Sequence, residues 1–577
     1  MHFIDWAIVI VLNGAIIAYG LFRSRDTKSS ADWFLAGRSL PWWIVGLSLY
    51  ATAIDSSDVV ADSGHTYGNG MAYFATNWVG VILGWFIAAH YTALPMYRAG
   101  MYTNAEYLEA RFGPSARVIS ALVQVQYRTL VLGIMANTIY LVLKDGCGWG
   151  PGAWWVVWAM AGFAAVYTAL GGLKSVAVTD ALQTGIMVVA SITLFVLIWN
   201  VVGGWSGIEG KLEAHEAGLS RPMLHTGEDT VSVSSVEGKS AEEIDRQLIL
   251  GGEYDPEAAT ITKRTPAWIV AIAWVMVGLM YSIVNHTQSM RLFGSRSEWD
   301  LKMSIVIAGV ILLVTTFTNL MIGIMGRALY PEIGMLPEGR GDSIYPFLLA
   351  EYAGVFFKGL IVAGIVAATL STFDSIGSTL SSLLVRDVYA RIFVRDRDDH
   401  HYLRVGQWLT PLIIFGSFAY VPFFEGGMLL FYLDLVGSIV VPLMTIYLFG
   451  IFSRVHRSSG SIALAVGVLY GVVRLFAPKI AATFGVAVLP PIMVDNYANY
   501  LFSFGITGAT MILVSLWRGW EPRGDLLHKE SGGWLRSSQE QVSEIEAVAE
   551  PRSTTLSLVL GLLIVAIGLV LCFVVFW

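Results

Sequence analysis

A strip of hydroxyl groups surrounds one carboxylate between residues 369 and 382, where eight of fourteen residues are Ser or Thr. In a helix, spacings of three, four and seven place the following oxygens on one face: Ser371, Asp374, Ser375 and Ser378. Hard oxygen ligands suit an alkali or alkaline-earth cation rather than zinc or copper. The strip therefore predicts a cation site. The alternative, hydroxyls that only allow close helix packing, leaves the buried charge of Asp374 unexplained.

Three carboxylates, those of Asp55, Asp58 and Asp62, interrupt the apolar run from Ser48 to Gly70. A continuous lipid-facing helix would not carry these charges. We therefore expect a helix that faces a cavity and is locally unwound, so that free backbone carbonyls become ligands. Asp58 is the carboxylate that we expect to line a solute site, whereas Asp62 lies near the outer end of the run, where water can reach it.

A second interruption lies in the run from Tyr281 to Arg291. It consists of four successive polar side chains, those of Asn285, His286, Thr287 and Gln288. Interrupted helices at matching places in two halves are the sequence sign of an inverted-repeat transporter with its site at the membrane midplane. No second histidine stands at ligand spacing from His286, so the pattern does not indicate a transition-metal site.

The composition is that of a membrane protein. Of 577 residues, 55% are hydrophobic and only 14% are charged, against about 25% charged in soluble domains. The 20 Trp and 24 Tyr fit aromatic belts at the two membrane surfaces. The net charge of -7, without a long basic cluster, does not suggest a nucleic-acid partner. Two cysteines provide neither a disulfide framework nor a thiolate metal site.

Apolar runs of about twenty residues give fourteen candidate spans. They lie near residues 4–22, 40–62, 69–96, 118–142, 152–170, 177–201, 267–290, 303–325, 354–384, 406–423, 428–452, 460–477, 497–517 and 555–577. The first run is followed by Arg23, Arg25 and Lys28 and has no small-residue cleavage site, so we interpret it as a retained span.

The basic residues predict how these spans are oriented. With the amino terminus outside, the inside loops hold 23 of the 36 Lys and Arg residues, Arg291 among them. Both termini are therefore expected outside a plasma membrane. We interpret the long outside segment 203–266 as a solvated connector, with one short amphipathic helix as the alternative. The inside segment 518–553 would carry a surface helix around residues 538–549.

Two long motifs resemble the solute:sodium symporter family, which includes the sodium/glucose and sodium/proline cotransporters. They are YTALGGLKSVAVTDALQ (Tyr167–Gln183) and AATLSTFDSIGSTLSSLLVRDVY (Ala367–Tyr389). The stretch SADWFLAGRSLPWW (Ser30–Trp43) and the run after Pro442 are also similar, so the resemblance covers the chain from about residue 4. It implies an all-α integral membrane protein with the LeuT-like five-plus-five inverted-repeat fold and about 14 transmembrane helices.

That fold divides the chain into five parts. Residues 1–39 would form an extra span with its inside loop, and residues 40–201 the first inverted repeat. An outside loop would follow at 202–266, then the second repeat at 267–452 and additional C-terminal spans at 453–577.

The resemblance also implies a sodium site between the broken second span and the hydroxyl helix. Its ligands on this chain would be Ala51, Ile54, Ala368, Ser371 and Thr372. Some family members have a second sodium site, whose matching positions here are Asp180, Ser371, Asp374 and Ser375. Asp374 replaces a hydroxyl of the best-known second site. The two carboxylates could therefore hold another ion, share a proton or pair with Arg128 in the fourth span.

The class of solute stays open between sugars, amino acids and carboxylates. Positions that match the sugar-binding set of the sugar-transporting relatives hold Ala53, Asp58, Asn77, Asn285 and His286, which does not favour a sugar. Asp58 could instead meet an ammonium group. The residues that we expect to line the solute site are Asp58, Asn77, Trp78, Asn285, Gln288 and Asp434.

These observations predict a secondary active symporter, not an enzyme, that imports a small polar organic solute with sodium by alternating access. Na⁺ would be the co-transported ion, with no organic cofactor and no nucleic-acid partner, and the chain would act as a monomer in the lipid bilayer. The alternatives are a proton-coupled symporter on the same fold and a transporter-like sensor, for which the chain lacks a signalling domain.

Overall fold

The computed structural model describes residues 1–24, 33, 35–395, 397–426, 428–521 and 555–577. The surface helix expected around residues 538–549 lies outside these residues. The first half contains α1 (Phe3–Ser24), α2 (Trp42–Ala51), α3 (Ser56–Asn69), α4 (Thr76–Arg98), α5 (Asn104–Phe112), α6 (Pro114–Gly146), α7 (Gly150–Ala169) and α8 (Gly172–Val202). The following segment contains α9 (Gly204–His215), α10 (Ser220–Leu224), β1 (Thr230–Ser235), α11 (Ala241–Leu248), β2 (Glu253–Asp255) and β3 (Thr260–Thr265). The second half contains α12 (Ala267–Val284), α13 (His286–Phe293), α14 (Glu298–Leu329), α15 (Ile344–Tyr352), α16 (Phe357–Phe393), α17 (Asp399–Gly416), α18 (Met428–Phe452), α19 (Ser459–Phe484), α20 (Pro491–Val494), α21 (Ala498–Arg518) and α22 (Thr555–Val575).

Within the described residues, twelve helices are long and apolar enough to cross a membrane, and the pair α2 and α3, bent by 50°, makes thirteen. The remaining predicted span, 406–423, corresponds to α17. This helix has a polar first turn and contains Pro411, which shorten its apolar stretch, and it continues as a 3-10 helix from Ser417 to Gly426. It nevertheless packs into the bundle, since the Phe415 ring stacks on Trp158 of α7 at 5.6 Å.

Helix α16 forms the centre of the bundle. All of its residues between Ile361 and Ser382 are buried. The N-terminus of this helix is held by Asp5 of α1, whose Oδ1 accepts the amides of Phe356 at 2.8 Å and Gly359 at 3.1 Å. A carboxylate at this end also interacts favourably with the helix dipole. The hydroxyl strip of α16 therefore faces other helices rather than lipid.

Two spans are broken near their middle, as the sequence predicts. Helix α2 ends at Ala51 and α3 starts at Ser56, and α12 ends at Val284 before α13. The second break is held by Asn285, whose Oδ1 accepts the amide of Thr287 at 3.0 Å as an N-cap of α13.

A third break separates α7 from α8 at Gly172. This residue has φ 63° and ψ -177°, a conformation that L side chains rarely adopt. A Cβ at this position would also lie 2.7 Å from Cδ1 of Trp33. Glycine is therefore required here both by the backbone and by the neighbouring indole.

The segment from residue 203 to residue 266 is more ordered than a solvated connector. Its three strands form an antiparallel sheet in the order β1-β3-β2, with Thr230 opposite Thr265 and Glu253 opposite Thr262. The alternative of a short amphipathic helix is realised in α11, which starts with a capping box at Ser240. The sheet was not predicted from the sequence.

Candidate functional site

The break between α2 and α3 deprives two backbone carbonyls of their helical donors. In a continuous helix, the amides of Asp55 and Asp58 would bond the carbonyls of Ala51 and Ile54, four residues earlier. Instead, the amide of Asp55 donates to Asp58 Oδ2 at 2.7 Å, and the amide of Asp58 donates to Asp55 Oδ1 at 3.4 Å. This reciprocal capping box releases both carbonyls for other partners.

The hydroxyl strip of α16 meets one of these carbonyls. Ser371 Oγ lies 3.1 Å from the carbonyl oxygen of Ala51 and 2.9 Å from that of Ala368. Thr372 Oγ1 lies 3.1 Å from the same Ala368 oxygen. Four of the five residues expected to bind sodium therefore meet between α2 and α16, and the fifth, Ile54, lies on the same broken segment. All five residues are at most 3% exposed, and the four that meet present hard oxygen ligands of the kind that an alkali cation prefers.

A second polar cluster lies further along α16, and it contains a guanidinium. Arg291 Nη2 lies 3.2 Å from Asp180 Oδ2, to which Ser48 Oγ also donates at 2.6 Å. Arg291 donates to Ser375 Oγ as well, and this hydroxyl donates to Asp374 Oδ1 at 3.0 Å. All five residues are completely buried. The residues of the expected second cation site are thus brought together, with a fixed cation of the protein among them.

The role of Arg291 was not predicted from the sequence. Arg291 was expected among the basic residues of an inside loop, whereas it lies in α13 and is 0% exposed. The spacing offered a usable signal: Arg291 stands four residues after Thr287, whose carbonyl accepts its Nη1 at 2.9 Å, so it belongs to the broken helix. The remaining oxygen of Asp374 accepts a hydrogen bond from the hydroxyl of Tyr167. Arg128, offered as a partner for these carboxylates, lies elsewhere.

Arg128 lines a cavity between α3, α4, α6 and α12. The same cavity is lined by Asp58 and Asp62 of α3, Asn77 of α4 and Tyr281 of α12. The cavity therefore combines carboxylates, an amide, a phenol and a guanidinium, with apolar side chains between them. It lies directly beside the break that exposes the carbonyls of the α2–α3 segment.

Two of the six residues expected to bind solute, Asp58 and Asn77, line this cavity. Asn285 and Gln288 instead serve the broken helices. Asn285 caps α13, and Gln288 accepts a hydrogen bond from Trp85 Nε1 at 3.2 Å while donating to Thr52 Oγ1 at 3.2 Å.

Trp78 and Asp434 also lie outside the lining of this cavity. Trp78 is 1% exposed and donates from its Nε1 to the carbonyl of Leu313 at 3.1 Å. Asp434 pairs with Arg474 at 2.6 Å. Their hydrogen bonds give both residues roles in helix packing.

The two broken helices are joined at Thr52. Tyr281 donates from its hydroxyl to the carbonyl of Thr52, and Gln288 binds the side chain of the same residue. Gln288 Nε2 also lies 3.3 Å from the Tyr281 hydroxyl. A residue that lines the cavity is thus bonded to the residue that follows Ala51 in the chain.

Comparison with known proteins places this arrangement in a family. The sequence model of the sodium:solute symporter family matches residues 33–471. Sodium/glucose cotransporter 4 of Danio rerio is 26% identical over 96% of this chain and 84% of its own length. The sodium/glucose cotransporter of Vibrio parahaemolyticus is 25% identical over 80% of this chain and 83% of its own length. The sodium/myo-inositol cotransporter of Canis lupus familiaris is 25% identical over 89% and 73%, respectively.

Solved structures show the same fold. A Na⁺-coupled sialic acid symporter, in a substrate-bound outward-open state, matches with a TM-score of 0.68 at 18% identity and covers 90% of this chain and 99% of its own. A transporter of the nucleobase-cation-symport-1 family matches with a TM-score of 0.51 at 12% identity, again over 90% and 99%. The predicted all-α, LeuT-like membrane fold is confirmed. Since the family match covers most of the chain, this protein belongs to the sodium:solute symporter family, whose members are sodium-coupled cotransporters rather than enzymes.

Proposed function

We propose that this chain imports a small polar organic solute together with sodium, by alternating access. The observation that carries the proposal is the contact of Ser371 Oγ with the carbonyl of Ala51, at a break whose capping box leaves carbonyls available. The sodium ligands would be the carbonyls of Ala51, Ile54 and Ala368 with the hydroxyls of Ser371 and Thr372. These oxygens belong to two helices far apart in sequence, so a bound ion connects them.

This connection supplies the coupling. Sodium bound between α2 and α16 would hold the two helices together and favour the outward-open state, in which the cavity beside α3 accepts solute. Loss of the ion to the inside would remove that restraint and release the solute there. A membrane potential of 100 mV is worth about 2.3 kcal/mol per charge, so one sodium ion could sustain roughly fifty-fold accumulation before its own gradient is added.

Asp180, Asp374 and Ser375 remain a candidate second cation site. With both carboxylates ionised, the single guanidinium of Arg291 leaves the cluster one negative charge in excess. A second transported cation would balance that charge. The number of ions per cycle is therefore an outcome of the transport measurement.

The remaining features of the proposal concern topology. We expect a monomer in the plasma membrane with both termini outside, because this orientation places most Lys and Arg residues inside. The two inverted repeats would be residues 40–201 and 267–452. Each of these ranges begins with a broken helix, at Ala51 and at Val284, and contains four further helices of at least eighteen residues.

Uptake into proteoliposomes tests the function. Purified protein would be supplied with radiolabelled sugars, amino acids and carboxylates, with a sodium, lithium or proton gradient as the only driving force. We expect sodium-driven accumulation of one class, and Ser371→Ala or Thr372→Ala should raise the sodium concentration for half-maximal uptake. Accumulation driven equally by protons without sodium would instead support the proton-coupled alternative, and binding without transport would support the sensor.

A matched control lies on the same helix. Ser381 is a buried hydroxyl that donates to the carbonyl of Gly406 at 2.6 Å, two turns or more from the sodium ligands. Ser381→Ala should leave the sodium dependence of uptake unchanged. If Ser371→Ala and Ser381→Ala behave alike, the site assignment is wrong.

A further inference from the structure

The cavity beside the break carries charges of both signs, and their placement indicates the chemical class of the solute. This inference rests on the proposed function, because it assumes that the cavity receives the transported solute. The lining holds one guanidinium, that of Arg128 on α6, and three carboxylates, those of Asp55 at the break and of Asp58 and Asp62 on α3. Asp55 and Asp58 form the capping box at the break, whereas Arg128 and Asp62 have no part in the proposed sodium site.

Arg128 is 1% exposed and is incompletely satisfied by the protein. Among the described residues, no carboxylate lies within ion-pair distance of it, and its Nε and Nη2 have no hydrogen-bond partner. Its charge is faced by the rings of Tyr127 at 5.8 Å and Tyr281 at 5.5 Å. A buried guanidinium that lacks an anion is unfavourable, so this group is suited to receive an anionic group of a ligand.

The wall that α3 contributes to the cavity is acidic. Asp58 and Asp62 are four residues apart in α3, so both side chains lie on one face of the helix, and both line the cavity. Asp62 is 3% exposed, and its Oδ2 has no hydrogen-bond partner among the described residues. Asp58 uses Oδ2 in the capping box and has a second oxygen to offer. These two carboxylates are suited to receive a cationic group.

We propose that the solute is a zwitterion, an α-amino acid with an apolar side chain. Its carboxylate binds Arg128, its ammonium group binds Asp58 and Asp62, and its side chain contacts Val131, Ile134 and Val277, which line the same cavity. A neutral sugar leaves both buried charges without a counter-ion. A simple anion satisfies Arg128 but faces the acidic wall, and a simple cation leaves Arg128 unpaired.

Binding to the purified full-length protein tests this assignment. The twenty proteinogenic amino acids are screened by thermal shift in sodium chloride and in choline chloride, and those that stabilise the protein are titrated calorimetrically. Each is compared with its methyl ester, which lacks the carboxylate, and with its N-acetyl derivative, which lacks the ammonium group. Because a hydrogen bond to a charged group is worth about 1.5–3 kcal/mol, each derivative should bind roughly 10- to 150-fold more weakly.

Variants assign each end of the solute to its partner. Arg128→Gln should weaken the amino acid by a similar factor yet leave the affinity of the methyl ester unchanged, because that ester has no carboxylate to lose. Asp62→Asn should likewise weaken binding of the amino acid but leave the affinity of the N-acetyl derivative unchanged, because that derivative has no ammonium group. Arg111→Gln is the control: Arg111 is also buried, but it donates to the carbonyls of Gly450 and Val455, away from the cavity.

The outcomes separate this inference from the proposed function. If no amino acid binds better than both derivatives, or if Arg128→Gln weakens acid and ester equally, the zwitterion assignment is wrong. Sodium-driven uptake of a neutral sugar that is insensitive to Arg128→Gln would also overturn it while leaving sodium coupling intact. Amino-acid binding with the expected discrimination but no sodium dependence would support the solute class and refute the coupling.

Discussion

Substituting Asp55 by alanine should weaken sodium binding, although Asp55 is not expected to be a sodium ligand. Its Oδ1 accepts the amides of Ser57 at 2.7 Å and Asp58 at 3.4 Å. Without this acceptor, the amide of Asp58 can return to the carbonyl of Ile54 and continue the helix. The substitution would therefore make the Ile54 carbonyl unavailable to sodium without changing any of the proposed ligands.

The size of the effect follows from the cap. Replacing an N-cap aspartate by alanine costs about 0.5–2 kcal/mol. Since 1.4 kcal/mol corresponds to about a tenfold change in an equilibrium constant, sodium affinity should fall between about 2-fold and 30-fold. Asparagine caps helices about as well as aspartate, so Asp55→Asn should stay close to the wild type.

The dependence of thermal stability on sodium concentration measures the sodium affinity of each variant without knowledge of the solute. The purified variants are unfolded over a sodium chloride series at constant ionic strength with choline chloride, because stabilisation grows as RT ln(1 + [Na⁺]/Kd). The curve of thermal midpoint against sodium concentration should be displaced to higher sodium concentrations for Asp55→Ala. An undisplaced curve would show that the carbonyls do not depend on the cap. Equal displacement for alanine and asparagine would show that the charge, rather than the cap, is what matters.

Three further predictions concern the folded state. Arg291→Met should destabilise the protein by about 3–5 kcal/mol in an SDS-unfolding titration, because it leaves Asp180 buried without its cation. Adding Asp180→Asn to the same chain should recover part of the lost stability. No recovery would refute the pairing. Gly172→Ala should lower the thermal midpoint, because the φ of 63° at this position is strained for alanine and the new Cβ would lie 2.7 Å from Trp33. An unchanged midpoint would show that the break does not require glycine. Burial raises the pKa of Glu106, in α5 between two spans, from 4.5 to about 7. The folded state then holds a proton that the unfolded chain has released, so stability should fall as pH rises from about 4.5 to 7, and Glu106→Gln should reduce this slope; equal slopes would refute the assignment.

The spans and the hydroxyl helix were predictable because they depend on local spacing. Apolar runs of membrane length must be helices, since lipid offers no other partner for backbone polar groups. The hydroxyls of α16 share a face at helical spacing whatever lies opposite them. The proposed sodium ligands could then be named from the resemblance, and the structure brings Ser371 to Ala51. The capping box was also present in the sequence as two acidic residues three positions apart, Asp55 and Asp58.

Features that depend on contacts between distant elements were not predictable. Arg291 resembled a loop residue because it follows an apolar run, and only the packing of α13 against α8 and α16 shows its partner, Asp180. Pairing with Arg128 was one of three alternatives for these carboxylates, because Arg128 is the basic residue of its span, yet Arg128 lines a different cavity. The strands between residues 230 and 265 are short and rich in Ser and Thr, so their alternation is weak, and pairing across the segment defines them.

The hydrogen bond from Tyr281 to Thr52 has a consequence for how the two ligands influence each other. Tyr281 lines the cavity, and Thr52 follows Ala51 directly in the chain. A molecule that displaces the phenol ring would shift the next peptide group, and with it the carbonyl that faces Ser371. In such an arrangement, each ligand must change the affinity for the other by the same factor. Tyr281→Phe should therefore reduce the factor by which the solute raises sodium affinity, and it should reduce equally the factor by which sodium raises solute affinity.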